Sequence, residues 1–331
     1  MRYLILVPDN LNRAGLDVLR AVETFEVCAP GKMSREETLA RIPDAHALIV
    51  RSDTSVDAAL LERAANLKVV VRAGVGVDNI DLEACTARKI VVMNTPEANT
   101  ISTAEHTIGL MLALARHIPQ SDRSMREGRW ERNKFVGMQL SGKTLGIIGF
   151  GRVGHAVAER AKALGMNVIA FDPFVPERLA RRMAMMAGLE QVLAEADVLS
   201  LHAVTTDETR GLINRETIAR MKDSVLIINT ARGALINSAD LAEALRSGKV
   251  AGAALDVYES EPPPPDHPLV GLDNVIHTPH LGASTREAQT QVGVEAAEAV
   301  RKALLEGRFD NVRNREVLDG DGDPARQTAR Q

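Results

Sequence analysis

Three ionisable residues stand just beyond strand-like apolar runs, where open α/β sheets gather their chemistry. Arg232 follows the run 225–229 in Asn229-Thr230-Ala231-Arg232-Gly233, Glu261 lies in the loop after a run ending at Asp256, and His280 sits in His277-Thr278-Pro279-His280-Leu281-Gly282. Oxidising a secondary alcohol beside a carboxylate needs this set: a guanidinium to fix the carboxylate, an imidazole to take the hydroxyl proton, and an acid to tune the imidazole. A structural ion pair is the plainer reading of Arg232, and the residues alone leave the two readings level. His46, His106, His117 and His155 fall in or beside helix- or strand-like runs and read as surface or core imidazoles; His267 reads as a loop residue.

A second constellation is Gly149-Phe150-Gly151-Arg152-Val153-Gly154. It satisfies the dinucleotide fingerprint, with a strand-like run before it, an amphipathic run after it, and Asp172 closing the next strand about 20 residues on. Gly149 allows the tight turn, Gly151 lets backbone approach a pyrophosphate, and Gly154 lets helix and strand pack closely. The helix N-terminus offers N–H groups to the phosphates. Asp172 would accept from the adenosine ribose hydroxyls and repel a 2′-phosphate, which favours NAD over NADP.

Two lookalikes are set aside. Residues 137–144, Gly-Met-Gln-Leu-Ser-Gly-Lys-Thr, match the phosphate loop of nucleoside triphosphatases, but that loop follows a strand and opens a helix, whereas here a basic connection precedes and a strand follows. The aspartates from Asp319 imitate a calcium loop, with Pro324 where glycine is needed and Arg330 where glutamate is needed; no metal site is expected.

The elements that position these residues follow from composition and period. The 331 residues suggest two domains at about 150 each. A net charge of -4 gives no field to hold nucleic acid or an anionic membrane, and 3% aromatics argues against stacking platforms. Only Cys28 and Cys85 occur, and the apolar start before Pro8 is too short for a signal-peptide core, so a cytoplasmic protein is expected. Strand-like runs at 3–7, 25–28, 47–50, 68–71 and 90–92 alternate with helical runs at 11–20, 35–42, 56–65 and 80–87. A long helix over 100–117 and a polar, basic connection over 120–142 lead to a second series of strands at 144–148, 167–171, 198–201, 225–229, 251–256 and 274–277. A closing helix is expected over 284–305. The fold class is α/β, two doubly wound parallel-sheet domains. Residues 183–186, rich in Met, read as core filler.

Together these motifs resemble the D-isomer-specific 2-hydroxyacid dehydrogenases over about residues 45 to 310. Further matches are Arg72-Ala73-Gly74-Val75-Gly76-Val77-Asp78-Asn79-Ile80-Asp81, Asn94-Thr95-Pro96, Ala104-Glu105-His106-Thr107 and the stretch from Gly128 to Phe135. The resemblance implies that Arg232 binds the substrate carboxylate, His280 passes the proton and Glu261 stabilises the imidazolium. Arg152 and Val153 would offer amides to the pyrophosphate, while Thr230, Ala231 and Asp256 would line the nicotinamide end. Gly74, Val75 and Gly76 would cradle the substrate carboxylate, and Arg51, Arg72, Arg132 and Lys134 are the cations for a substrate phosphate. It further implies a Rossmann NAD domain, 99–284, inserted into a flavodoxin-like substrate domain, 1–98 with 285–316, and a homodimer through the NAD domain. Residues 317–331 are expected to be a disordered tail, and no length is left for an appended regulatory module. The substrate favoured is 3-phosphoglycerate, ahead of glyoxylate or hydroxypyruvate, with an NAD-sensing corepressor-like binding module ranked below both. Val75, Ala98 and Val204 depart from the family pattern.

Overall fold

In a computed structural model, which describes residues 2–176, 178 and 183–319, the chain divides into two compact units. One comprises residues up to Asn99 together with those from Thr285; the other is Thr100–Ser284.

The first unit is built on five strands: β1 (Tyr3–Leu6), β2 (Phe25–Cys28), β3 (Ala47–Val50), β4 (Val69–Arg72) and β5 (Val91–Asn94). All pairings are parallel, in the order β2-β1-β3-β4-β5, the flavodoxin-like arrangement. Successive side chains point to opposite faces and both faces are buried. Ile5, Ile49, Val71 and Met93 pack on one face, and Leu6, Leu48, Val70 and Val92 on the other. Helix Arg286–Glu306 returns late in the chain to cover the first face through Val292, Ala296 and Val300. Glycines let it press against helix Arg13–Arg20, since a Cβ on Gly15 would collide with the Gly293 backbone.

Helices Ala58–Arg63 and Leu82–Ala87 are shorter than expected. Val56 and Ile80 pair with each other in an isolated bridge, so each helix starts two residues later, behind its own cap, Asp57 or Asp81. The expected disordered tail also needs correction at its start. Glu316–Asp319 is a helical turn, Val317 is buried, and Asn314 ties the segment to β5 by accepting from the Val92 N–H at 2.8 Å and donating to the Ile90 carbonyl at 2.9 Å. The calcium-like pattern beyond it lies outside the described residues.

The second unit has seven strands: β6 (Thr144–Ile148), β7 (Asn167–Phe171), β8 (Met185–Met186), β9 (Val198–Leu201), β10 (Val225–Asn229), β11 (Val250–Leu255) and β12 (Val275–His277). They are parallel in the order β12-β11-β10-β9-β6-β7-β8, the Rossmann order with one strand added. Leu145, Ile147, Leu226 and Ile228 face helices Thr100–Ala115 and Arg152–Ala163, while Ile148, Leu199, Ile227 and Leu255 form the opposite core. The helix expected over 100–117 stops at Ala115; His117 takes a left-handed conformation, φ 52°, and a second helix, Ile118–Arg126, starts after it with proline in its first turn. The Met-rich stretch supplies edge strand β8, with Met183 and Met186 packed on the core and Met185 half exposed. No described helix is long and apolar enough to cross a membrane.

Candidate active site

Strand ends in the second unit carry side chains that fold the loops beyond them. Asn229, the last residue of β10, is fully buried; its Oδ1 accepts from the Ala231 N–H at 3.0 Å and its Nδ2 donates to the Arg232 carbonyl at 2.9 Å. Asp256, directly after β11, is equally buried. Its Oδ1 accepts from the Leu281 N–H at 2.7 Å, Thr278 Oγ1 at 2.5 Å and His106 Nε2 at 3.2 Å, and its Oδ2 accepts from the Gly282 N–H at 2.8 Å. Its carbonyl takes the His280 N–H at 2.9 Å. His280 is thereby held with φ 55°, a conformation disfavoured for a residue with a Cβ. Burial raises the Asp256 carboxyl, but the hydrogen bonds from His106, Thr278 and the two amides outweigh it and hold the pKa below the usual range.

The structure brings Arg232, Glu261 and His280 together. His280 Nδ1 lies 2.6 Å from Glu261 Oε2, and Glu261 Oε1 accepts from the Tyr258 N–H at 3.1 Å. A carboxylate only accepts, so Nδ1 carries the hydrogen and Nε2 is left to exchange a proton. Burial raises the Glu261 carboxyl; the bonds from His280 and Tyr258 and the charges of His280 and Arg232 reverse this and keep it ionised. The Arg232 Nη1 also donates to the Ala231 carbonyl at 2.7 Å.

The glycine turn after β6 fits a dinucleotide. Gly149, φ 91°, lies so close to β9's end that a Cβ would fall 2.5 Å from the His202 carbonyl carbon and the Ala203 nitrogen, and a Cβ on Gly154 would collide with the Gly149 carbonyl. A Cβ on Gly151 would meet only open space, and no side chain caps the helix that begins at Arg152 and Val153. That open, uncapped N-terminus suits a pyrophosphate. The Asp172 carboxylate accepts from the Phe150 N–H at 2.8 Å and the Phe174 N–H at 2.9 Å; its remaining lone pairs suffice for ribose hydroxyls. The overlapping triphosphatase pattern runs directly into β6, so it lacks the strand-then-helix setting such a loop needs.

Two expectations change. Asp256 was expected to line the nicotinamide end, yet its carboxylate is turned inward onto the His280 turn, because four donors there satisfy a buried charge. Thr230 Oγ1 pairs with Thr107 Oγ1 at 2.8 Å, and Thr107 donates onward to the Thr103 carbonyl, so the Thr230 hydroxyl is also engaged internally; Ala231 is half-buried in the loop beside it. Two histidines take partners that the sequence does not assign them. His106 is the Asp256 donor, and His202, beside Gly149 and bonded to Ser200 Oγ at 2.8 Å, is pushed down to about 4 by burial and stays neutral. Position after a strand, the signal that found His280, applies equally to His202.

The expected substrate cations are divided between the units. In the first, the Arg51 N–H donates to Asp9 Oδ2 at 2.5 Å, and Asn79 Nδ2 holds the Arg51 and Thr54 carbonyls at 2.7 and 2.6 Å. Arg72 folds its guanidinium over Gly74, Nη1 donating to the Ala73 carbonyl at 2.6 Å. The Gly74 carbonyl accepts from the Thr95 N–H at 3.0 Å and the Val75 carbonyl from Asn94 Nδ2 at 2.5 Å, leaving Val75 partly exposed ahead of Gly76. In the second unit, Arg132 and Lys134 lie in a 3-10 turn, and Lys134 Nζ pairs with Glu131 at 2.5 Å. Hydrogen bonds from Lys134, Arg129 and Ser124 bring the Glu131 carboxyl down to about 2. No group of three or more potential metal ligands occurs among the described residues.

A family model described as D-isomer specific 2-hydroxyacid dehydrogenase, NAD binding domain, matches residues 108–282. The chain belongs to the D-isomer specific 2-hydroxyacid dehydrogenase family. It is similar to D-3-phosphoglycerate dehydrogenase of Archaeoglobus fulgidus, 52% identical over 297 residues that make up 89% of this chain and 56% of that one. A hydroxypyruvate reductase of Thermotoga maritima is 46% identical over 92% of this chain and 99% of its own. Among solved structures, a glyoxylate reductase from Paecilomyes thermophila superposes with a TM-score of 0.86 at 32% identity, over 94% of this chain and 98% of that chain. The chain thus spans little more than half the length of the first of these relatives.

Proposed function

We propose that the chain is an NAD-dependent dehydrogenase of a D-2-hydroxy acid, with 3-phosphoglycerate, oxidised to 3-phosphohydroxypyruvate toward serine synthesis, as its substrate. The observation that carries the reading is the 2.6 Å contact of His280 Nδ1 with Glu261, which frees Nε2 for the substrate proton. Arg232 holds the substrate carboxylate and orients C2. The turn Gly149–Gly154 and Asp172 would hold NAD, which would supply the acceptor for the hydride leaving C2. His280 Nε2 takes the hydroxyl proton on oxidation and returns it on reduction, and ionised Glu261 stabilises the imidazolium between these events. Thr230 and Asp256 act by shaping the loops at the nicotinamide end. Gly74, Val75 and Gly76 cradle the substrate carboxylate, and Arg51, Arg72, Arg132 and Lys134 are the cations for the phosphate.

A second reading, a hydroxypyruvate or glyoxylate reductase, is favoured by one observation: Lys134 already has Glu131 as its partner. NADH oxidation with phosphohydroxypyruvate, hydroxypyruvate and glyoxylate separates the two. A kcat/KM preference for the phosphorylated acid, lost in Arg51→Ala, is expected; a preference for glyoxylate overturns the substrate assignment. His280→Ala is expected to lower kcat by about 10²–10⁴-fold with NADH binding intact. No turnover of any 2-keto acid by the parent chain, with NADH still bound, would leave only a binding module.

We read the protein as a cytoplasmic homodimer through the second unit. Support comes from apolar side chains exposed there, Trp130 at 77% and Val136 at 80%, with Ile118 and Met125 about half exposed. Trp130 is the chain's one tryptophan, so its fluorescence is expected to shift on dilution through the dimer dissociation range, and a monomer by sedimentation removes this part of the reading.

A further inference from the structure

Helix Thr100–Ala115 covers one face of the seven-stranded sheet, and polar residues on one stripe of it reach both catalytic loops. Thr103, His106 and Thr107 are spaced i, i+3, i+4 and so lie side by side. Thr103 Oγ1 donates to the Gly282 carbonyl at 3.2 Å, His106 Nε2 reaches Asp256 Oδ1 at 3.2 Å, and Thr107 Oγ1 meets Thr230 Oγ1 at 2.8 Å. Gly282 and Asp256 belong to the framework of the His280 turn, and Thr230 to the Arg232 loop.

The two loops differ in what they need from this helix. Asn229 both donates and accepts, so it closes the Arg232 loop with a neutral amide. Asp256 closes the His280 turn with a buried carboxylate, whose cost rises steeply if any donor is lost. Three of its side-chain and amide donors, Thr278, Leu281 and Gly282, belong to the turn itself; His106 alone comes from another element. Its ring geometry is also fixed. The carboxylate can only accept, so Nε2 bears a hydrogen, and Thr278, whose own hydrogen goes to Asp256 at 2.5 Å, can only accept from His106 at 3.2 Å.

We propose that His106 is a positioning residue for the reaction: through Asp256 it sets the His280 turn against the helix that also holds the Arg232 loop. It touches neither substrate nor cofactor. The role rests on the dehydrogenase reading given above.

The test compares His106→Leu with His106→Gln in the full chain. The leucine is expected to lower kcat for 2-keto acid reduction by about 10- to 100-fold, the scale of a misplaced catalytic group, with NADH affinity and substrate KM within about two-fold of the parent. The glutamine, whose Nε2 donates, is expected to restore most of kcat. Amide exchange followed by mass spectrometry over residues 278–284 is expected to speed up in the leucine variant and not in the glutamine variant. Should the leucine variant not fold, His106→Asn, whose amide is too short to reach Asp256, takes its place. Parental kcat and exchange in the leucine variant, or a glutamine variant as impaired as the leucine one, overturns the proposal. Exchange is read without turnover, so if the parent reduces no 2-keto acid the functional reading fails and exchange still decides the link from His106 to the turn.

Discussion

The turn after β6 and the turn after β4 read alike, each a strand running into Gly-X-Gly, and they are built on different principles. Beyond β6, main chain meets main chain: Gly149 touches the His202–Ala203 backbone and Gly154 the Gly149 carbonyl. Beyond β4, the space a Cβ on Gly74 would fill is held by the Arg72 guanidinium, and a second side chain, Asn94, grips the Val75 carbonyl. A cradle of backbone has a shape that substitution elsewhere hardly alters. A cradle completed by a guanidinium has a shape and a charge that one side chain controls, which suits recognition of an anion more than support of a sheet.

The sharpest way to break this contrast is Gly149→Ala. Its Cβ meets backbone that cannot swing aside, at φ 91°, so crowding and strain together are expected to cost about 3 kcal/mol or more and lower Tm by roughly 10 °C. A parental Tm would show that the backbone contact is soft. His202, against which Gly149 packs, sharpens the same point through pH. Burial lowers its pKa to about 4 in the folded chain, against an ordinary value of 6.5. Below pH 6.5 the unfolded chain therefore binds a proton that the folded chain refuses, so stability is complete above 6.5 and falls as pH drops toward 4, by roughly 3 kcal/mol over that window. Unfolding titrations of the parent and His202→Gln are expected to diverge as pH rises through that range, the variant having the flatter profile; parallel profiles would remove His202 from the account.

The same contrast explains what the sequence disclosed. Both sheets were legible because parallel strands buried on two faces must be short, continuous apolar runs, and the β6 turn was legible because the spacing of Gly149, Gly151 and Gly154 between a strand and a helix is itself the dinucleotide fingerprint. Helix starts at Ala58 and Leu82 were not, since the bridge from Val56 to Ile80 is a tertiary contact that no local pattern announces. Arg232, Glu261 and His280 could be singled out by their place after strands. His106 could not, because its partner Asp256 is 150 residues away. Asp256 was assigned to the cofactor for a related reason: its four donors belong to a turn and a helix that only the folded chain brings to it.

A smaller effect is expected at Gly74→Ala. The obstacle is the end of a flexible side chain, and the principal cost is the strain of φ 147°, about 1–3 kcal/mol. The displaced Arg72 should show instead in substrate KM, raised several-fold with NADH affinity unchanged. If Tm falls as far as in Gly149→Ala, the two turns are equally rigid and the contrast fails.

The smallest change in stability is expected at Gly151→Ala, where the same alanine tests function almost free of folding. Gly151 has φ -73°, open to any residue, and nothing lies within 4 Å of the added Cβ. Tm should therefore stay within about 1 °C of the parent, because neither strain nor crowding is introduced. The methyl instead occupies the side from which a pyrophosphate would approach the uncapped helix end, replacing close backbone contact by a gap. NADH is expected to bind about ten-fold more weakly, equivalent to about 1.4 kcal/mol, as measured by fluorescence titration or calorimetry. Parental affinity at parental Tm would mean that the dinucleotide does not approach across Gly151, and the open face of this turn would need another explanation than the one its neighbours Gly149 and Gly154 support.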